Sequence, residues 1–230
     1  MLNRLPKYCI LTPVGSHKLY ALEFYFNGIN NLNYKPGLVV LAPDHEVRDT
    51  VDKLASEKLK VPHLTLKIIF DGERGSLRRI CKAREELRMW FLNSKYGWAL
   101  WLDSDISLHP DLPAKLLEYA LKNKILSIFH GYPGRSFERG RTVWHGSGII
   151  LTHRYACQLA RFLVTHIKSM NISEDFNFKS LLRGANSVIK SMYGFTTTID
   201  LDLLPVKHYI RPGFRIITYK PSDFKTPKIK

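Results

Sequence analysis

Short apolar runs alternate with longer stretches of helical periodicity through the first half of the chain. Residues 8–11, 38–42, 64–70, 98–102 and 125–129 are largely apolar runs of strand length, bounded by polar or turn-forming residues. That is the pattern of strands buried on both faces. Between them, residues 17–29 carry Leu19, Leu22, Phe26 and Ile29 at helical spacing, with Ser16 expected as the N-cap. Residues 46–59 read as a polar amphipathic helix. Residues 77–91 put Leu77, Ile80, Ala83, Leu87 and Trp90 on one face, and 112–121 form a helix opened by Pro110-Asp111. This rhythm predicts an α/β fold, a mostly parallel sheet flanked by helices.

The rhythm breaks after residue 130. Residues 131–142 (GYPGRSFERGRT) hold three glycines, a proline and three arginines, which predicts a mobile loop. Residues 144–151 are strand-like around Gly146-Ser147-Gly148, 154–167 read as an amphipathic helix and 176–182 as another. Residues 196–199 and 205–209 read as late short strands, and the chain beyond Pro212 as a loosely held tail. No repeat, low-complexity segment or linker interrupts the pattern. The expected organisation is one compact domain over residues 1–212 followed by a basic tail, 213–230.

Composition narrows the function classes. With 230 residues, 45% of them hydrophobic, the chain can bury one substantial core. No apolar stretch approaches the ~20 residues of a membrane-spanning helix, and Met1-Leu2-Asn3-Arg4 lacks the pattern of a signal peptide. Cys9, Cys81 and Cys157 are scattered, with no Cys-x-x-Cys spacing. That argues against a disulfide scaffold or a thiolate zinc site and fits a reducing, cytoplasmic setting. The net charge of +15 points to an anionic partner: a nucleic acid, an acidic membrane face or a phosphorylated small molecule. The basic residues are spread along the chain rather than clustered with aromatics as in a nucleic-acid-binding module.

The chemistry concentrates where the run 98–102 ends on Asp103-Ser104-Asp105. In an open α/β sheet, ligands bind beyond the strand C-termini. If the step is extended, both carboxylates point the same way, and a hard divalent cation would relieve their repulsion. The same residues also suit a plain polar turn. Further on, Ser173-Glu174-Asp175-Phe176 places two acids at a helix start, where the helix dipole alone would favour them. His208 ends a late strand, as a ligand or as a packed side chain. Arg135, Arg139 and Arg141 form either a solvated loop or a lid over a phosphate.

The order of these features resembles GT-A-fold, nucleotide-sugar-dependent glycosyltransferases of the family 2 type, from Tyr8 to about Arg211. The resemblance implies a GT-A (Rossmann-like) sheet and a nucleotide pocket at the end of the first strand, at Thr12 and Pro13. It further implies a base or ribose contact at Asp44, and an Ala-Arg pair facing the nucleotide at Ala83-Arg84. It aligns Asp103-Ser104-Asp105 with the Asp-x-Asp motif, which holds the cation and the donor. Glu174-Asp175 aligns with a Glu-Asp motif whose Asp175 is the general base, Glu174 orienting the site. His145-Gly146-Ser147-Gly148 aligns with a glycine segment beside the acceptor, and His208 with a late metal ligand. Asp103, Asp105 and His208 would then hold Mn²⁺ or Mg²⁺, the imidazole tilting the choice toward Mn²⁺. The implied donor is a UDP- or GDP-linked sugar, and the implied reaction an inverting transfer to an acceptor hydroxyl on a glycan, lipid-linked or protein acceptor. Peripheral contact with an anionic membrane is compatible with the charge.

Two departures stand out. Pro43-Asp44-His45-Glu46 replaces the usual Asp-Gly-Ser-x-Asp, and the glycine segment lacks a run of three glycines. The competing classes are a metal-dependent nucleic-acid-binding or phosphodiester-processing protein and a sugar-nucleotide nucleotidyltransferase. The latter usually carries a glycine-rich, Arg-containing loop after its first strand. Thr12-Pro13-Val14-Gly15-Ser16 does not supply one.

Overall fold

The computed structural model describes residues 5–70, 76–133, 143–146, 148–167, 170–172, 174–210 and 215–221; the side chains of 76, 143, 144, 165–167, 170–172 and 175 lie outside that description. In chain order the elements are β1 (Tyr8–Val14), α1 (Leu22–Asn30), β2 (Leu38–Pro43), α2 (Arg48–Lys58), β3 (His63–Thr65), α3 (Ser76–Asn93), β4 (Trp98–Leu102), β5 (Ile106–Leu108) and α4 (Leu112–Lys122). There follow β6 (Ser127–Phe129), β7 (Tyr132–Pro133), β8 (Val143–Trp144), β9 (Ile149–His153), α5 (Arg154–Leu159), β10 (Thr165–Ile167) and β11 (Met170–Ile172). The last are α6 (Glu174–Tyr193), β12 (Ile199–Asp200), β13 (Val206–Ile210) and β14 (Arg215–Tyr219).

The main sheet has seven strands in the order β12-β6-β9-β4-β1-β2-β3. Its pairs are parallel except at β9, which runs antiparallel to both β4 and β6. Strand alternation sends side chains into two cores. Tyr8, Ile10, Trp98 and Leu100 pack with α1, α2 and α4. Cys9, Leu11, Ala99 and Trp101 pack with α3, α5 and α6. Covered on both faces, the central strands carry the continuous apolar runs seen in the sequence. The expected architecture, a mostly parallel sheet flanked by helices in one domain, is what forms. Among the described residues, no helix is long and apolar enough to cross a membrane.

Several elements differ from expectation, each for a local reason. The helix expected over 17–29 is preceded by a 3₁₀ segment, Ser16–Ala21, and the Ser16 side chain caps nothing; its backbone N–H donates to Asp44 Oδ2 at 2.9 Å. The strand expected over 64–70 pairs only as His63–Thr65, because β2 then reaches Pro43, which has no N–H. The helix expected over 154–167 stops at Leu159. There α3 captures the Phe162 backbone, Glu85 accepting its N–H and the Cys81 thiol bonding its carbonyl at 3.3 Å. The Phe162 ring meanwhile stacks on Phe178 at 4.4 Å. The short helix expected over 176–182 runs from Glu174 to Tyr193. The tail expected after Pro212 contributes β14, which pairs antiparallel with β13 and buries Tyr219; residues 222–230 lie outside the described residues.

A second sheet, β14-β13-β5, stands at the C-terminal end of β4. In it His208 lies opposite Ile106, three residues beyond Asp103. This small sheet brings the late histidine to the acidic pair.

Candidate active site

A cleft opens at the C-terminal ends of β1 and β2, on the face covered by α3. Pro13 to Lys18 form one wall, Ala42 and Asp44 the floor, and Leu77, Arg79, Ile80 and Ala83 the other wall, with Asp103 at the inner end. Its enclosed volume is about 230 Å³, and it opens outward to solvent. The walls are mainly apolar, with carboxylates at two points, as suits a planar base and a polar sugar. Asp44 is oriented by the Ser16 N–H. Thr12 does not reach the cleft: it is fully buried on the α1 face, its hydroxyl bonded to Tyr25 OH.

The acidic pair is not extended. The Ile106 N–H donates to Asp103 O at 3.1 Å, closing a turn over Ser104 and Asp105. Asp103 is still governed by strand alternation: it shares the α3 face of Ala99 and Trp101 and meets Arg84 there. The Arg84 guanidinium is fully buried, with Nη2 2.8 Å from Asp103 Oδ1 and Nε 3.4 Å from Glu174 Oε1. It also lies 5.5 Å from the centre of the Phe162 ring. Arg84 thus ties the Asp-x-Asp turn to the first residue of α6. Ser104 is fully buried and does not line the cleft.

Asp105 faces the other way, toward Lys18 and His208. Lys18 Nζ is 3.0 Å from Asp105 Oδ1 and 3.7 Å from Asp103 Oδ2, and His208 Nε2 is 3.2 Å from Asp105 Oδ2. Burial on its own would raise the Asp105 carboxyl. Lys18 and then His208 outweigh that and hold it well below the usual carboxylate range. Burial would likewise lower the Lys18 ammonium, but Asp103 and Asp105 turn the shift upward. His208 is fixed by β7: Nδ1 sits 2.6 Å from Pro133 O, and a carbonyl can only accept, so Nδ1 carries the proton. Nε2 is then the ring nitrogen turned to Asp105. Tyr132 sets its ring edge-on to His208 at 5.7 Å and lies against Gly148, where an added Cβ would come within 2.5 Å of that ring. The Gly148 carbonyl accepts the Asp103 N–H at 3.0 Å.

Asp175 follows Glu174 in the first turn of α6, with its side chain outside the described residues. Arg135, Arg139, Arg141 and Ser147 also lie outside them. Among the described residues, no three His, Cys, Asp or Glu side chains close into a metal cluster. The donors that converge are Asp105 and His208, while Asp103 is directed to Arg84 and Lys18.

No protein-family model and no curated protein matches this chain. Solved structures do. S. aureus TarS residues 1–349 in complex with UDP-GlcNAc matches with a TM-score of 0.54 and 13% identity, over 76% of this chain and 52% of that one. Glucosyl-3-phosphoglycerate synthase from Mycobacterium tuberculosis, with Mn²⁺, UDP and glucosyl-3-phosphoglycerate, matches at 0.55 and 12%, over 90% and 73%. The chain has the GT-A fold. It spans about half the length of the TarS structure.

Within this GT-A sheet, two groups escaped the sequence reading. Lys18 follows the end of β1 in the polar triplet Ser16-His17-Lys18, at the edge where ligands bind. Asp202 accepts from the Gly131 N–H at 2.7 Å, His145 Nε2 at 2.9 Å and Tyr219 OH at 3.0 Å, joining β14 to the loops around β7 and β8. Its signal was a second Asp-x-Asp, Asp200-Leu201-Asp202, again at a strand end.

Proposed function

We propose that this chain transfers a sugar from a nucleoside-diphosphate sugar to an acceptor hydroxyl, with inversion at the anomeric carbon and the help of a divalent cation. One observation carries the reading: the Asp-x-Asp turn stands at the inner end of a cleft at the strand C-termini, with His208 brought to it by a separate sheet. The similar structures named above hold UDP or a UDP-sugar, one of them with Mn²⁺, which supports the same class of donor here.

The donor atoms suit a cation. Asp105 Oδ2 and His208 Nε2 lie 3.2 Å apart, a chelating separation, with the ring held by Pro133 O. Mg²⁺ and Mn²⁺ take few protein ligands and complete their shells with water and substrate phosphate, so two protein donors are sufficient. The imidazole favours Mn²⁺. Bound there, the cation would neutralise charge on the departing diphosphate.

The rest is done by this chain. Pro13 and Ala42 flank the base, and Asp44, held by Ser16, accepts from the base or ribose. Asp103, locked by Arg84, accepts from the ribose or supports the cation. Glu174 is committed to Arg84 and keeps α6 in register with the turn. Asp175, next to it, takes the proton from the acceptor hydroxyl as the new bond forms. The leaving diphosphate and this base then act on opposite faces of the sugar, which gives inversion.

A thermal-shift panel of UDP, GDP and their sugars, with and without Mn²⁺, tests the donor reading. At a hundredfold excess over Kd, a bound donor adds about 2.7 kcal/mol, or roughly 5–10 °C for a chain of this size. A panel in which no nucleotide raises Tm refutes the reading. Asp175→Asn should keep nucleotide binding and lose transfer by about 10²-fold or more. Near wild-type turnover would remove Asp175 as the base.

A further inference from the structure

We propose that Lys18 is a tethered cation of the acidic pair, which occupies Asp105 when no divalent ion is bound and exchanges with that ion when it arrives. The two oxygens of Asp105 are divided: Oδ1 receives Lys18 Nζ at 3.0 Å and Oδ2 faces His208 Nε2 at 3.2 Å. An ion entering between Oδ2 and Nε2 places two positive charges beside an ammonium already bound to the same carboxylate. The ammonium and the ion therefore compete.

Lys18 is free to yield where Arg84 is not. Arg84 is fully buried and bonded from the α3 side. Lys18 lies on a 3₁₀ segment, which has weaker hydrogen-bond geometry than an α-helix, and its side chain forms part of the cleft wall. Without it, Arg84 would still hold Asp103 and Glu174, but Asp105 would keep only His208 among the ion pairs of the described side chains. Lys18 therefore keeps the carboxylates from repelling one another in the metal-free protein. Released by the ion, the ammonium remains in the cleft beside Asp103, where a bound diphosphate would offer it a further anion. That last part rests on the function proposed above; the exchange itself does not.

The full chain tests this in two ways. The first is Mn²⁺ affinity, measured by electron paramagnetic resonance without nucleotide, for wild type and Lys18→Met. Removing a charge-assisted competitor should tighten Mn²⁺ binding on the order of tenfold. Equal or weaker binding overturns the proposal. The second uses wild-type protein and so survives a variant that fails to fold: pulse acylation of lysines read by mass spectrometry. Lys18 should be protected in EDTA and several-fold more reactive with saturating Mn²⁺, while exposed Lys122 is unchanged. If Mn²⁺ leaves Lys18 protected, the proposal falls. Adding UDP or GDP to the Mn²⁺-bound protein should restore protection. Exposure by Mn²⁺ with no effect of either nucleotide supports the exchange and counts against the donor reading.

Discussion

Arg84→Met removes the cation that joins β4 to α6 while keeping most of the apolar stem. In the wild type, Arg84 Nη2 and Nε lie 2.8 Å from Asp103 and 3.4 Å from Glu174. Glu174 is 3% exposed and Asp103 8%, so water cannot replace the lost partner for either carboxylate. Breaking a buried pair by removing one member costs about 3–5 kcal/mol. Lys18, 3.7 Å from Asp103 Oδ2, offsets part of this and places the cost near the lower end. For a chain of this size that is roughly 6–12 °C in Tm. Urea unfolding followed by circular dichroism measures it. A cost under about 1 kcal/mol, the range of ordinary surface pairs, would refute the bridge.

Gly28→Ala should destabilise by about 1–3 kcal/mol, since a Cβ there meets Ser107 Oγ at 2.5 Å and its Cα at 3.2 Å, forcing α1 off β5. An unchanged or raised Tm would show that α1 has room to move. Acid should weaken the fold in two steps. Burial lowers His130 and His153, so their contribution is complete above the unfolded value of about 6.5 and is lost as pH falls below it. Burial would raise Asp202, but the His145 hydrogen bond outweighs it and the carboxyl is lowered. Its contribution persists above about pH 4 and is lost below. His130→Asn should shrink the upper step in a denaturation series from pH 7.5 to 5; an unaltered slope would assign that step elsewhere.

The sequence was legible where burial and periodicity agree. Trp98–Leu102 emerged with its exact ends because both faces are covered, so no polar residue interrupts it. Helix α3 was clear from its apolar stripe, and Arg84 came from the resemblance rather than from the pattern. What stayed hidden depends on tertiary contacts that no local window contains. Phe162 looks like one more helical apolar position until Glu85 takes its N–H. The second half of α6 buries little beyond Ile189, so its stripe is too thin to read. Lys18 has the look of a surface lysine because its burial depends on carboxylates some ninety residues away. Asp103 and Asp105 were found, and a polar turn was one of the two readings of their backbone; that the turn sends them to different partners was not legible.

The small sheet β14-β13-β5 has a consequence for the order of assembly. Its β13–β5 pairing, His208 opposite Ile106, spans about a hundred residues of chain, while all seven strands of the main sheet precede β13. A chain emerging from the ribosome can therefore close its cleft first, from β1, β2 and α3. It gains His208, the proposed second metal donor, only when β13 arrives, and β14 covers that strand afterward. Nascent chains ending before β13 should carry the cleft without the Asp105–His208 pair, so under the function proposed above donor binding and cation binding would be acquired at different chain lengths.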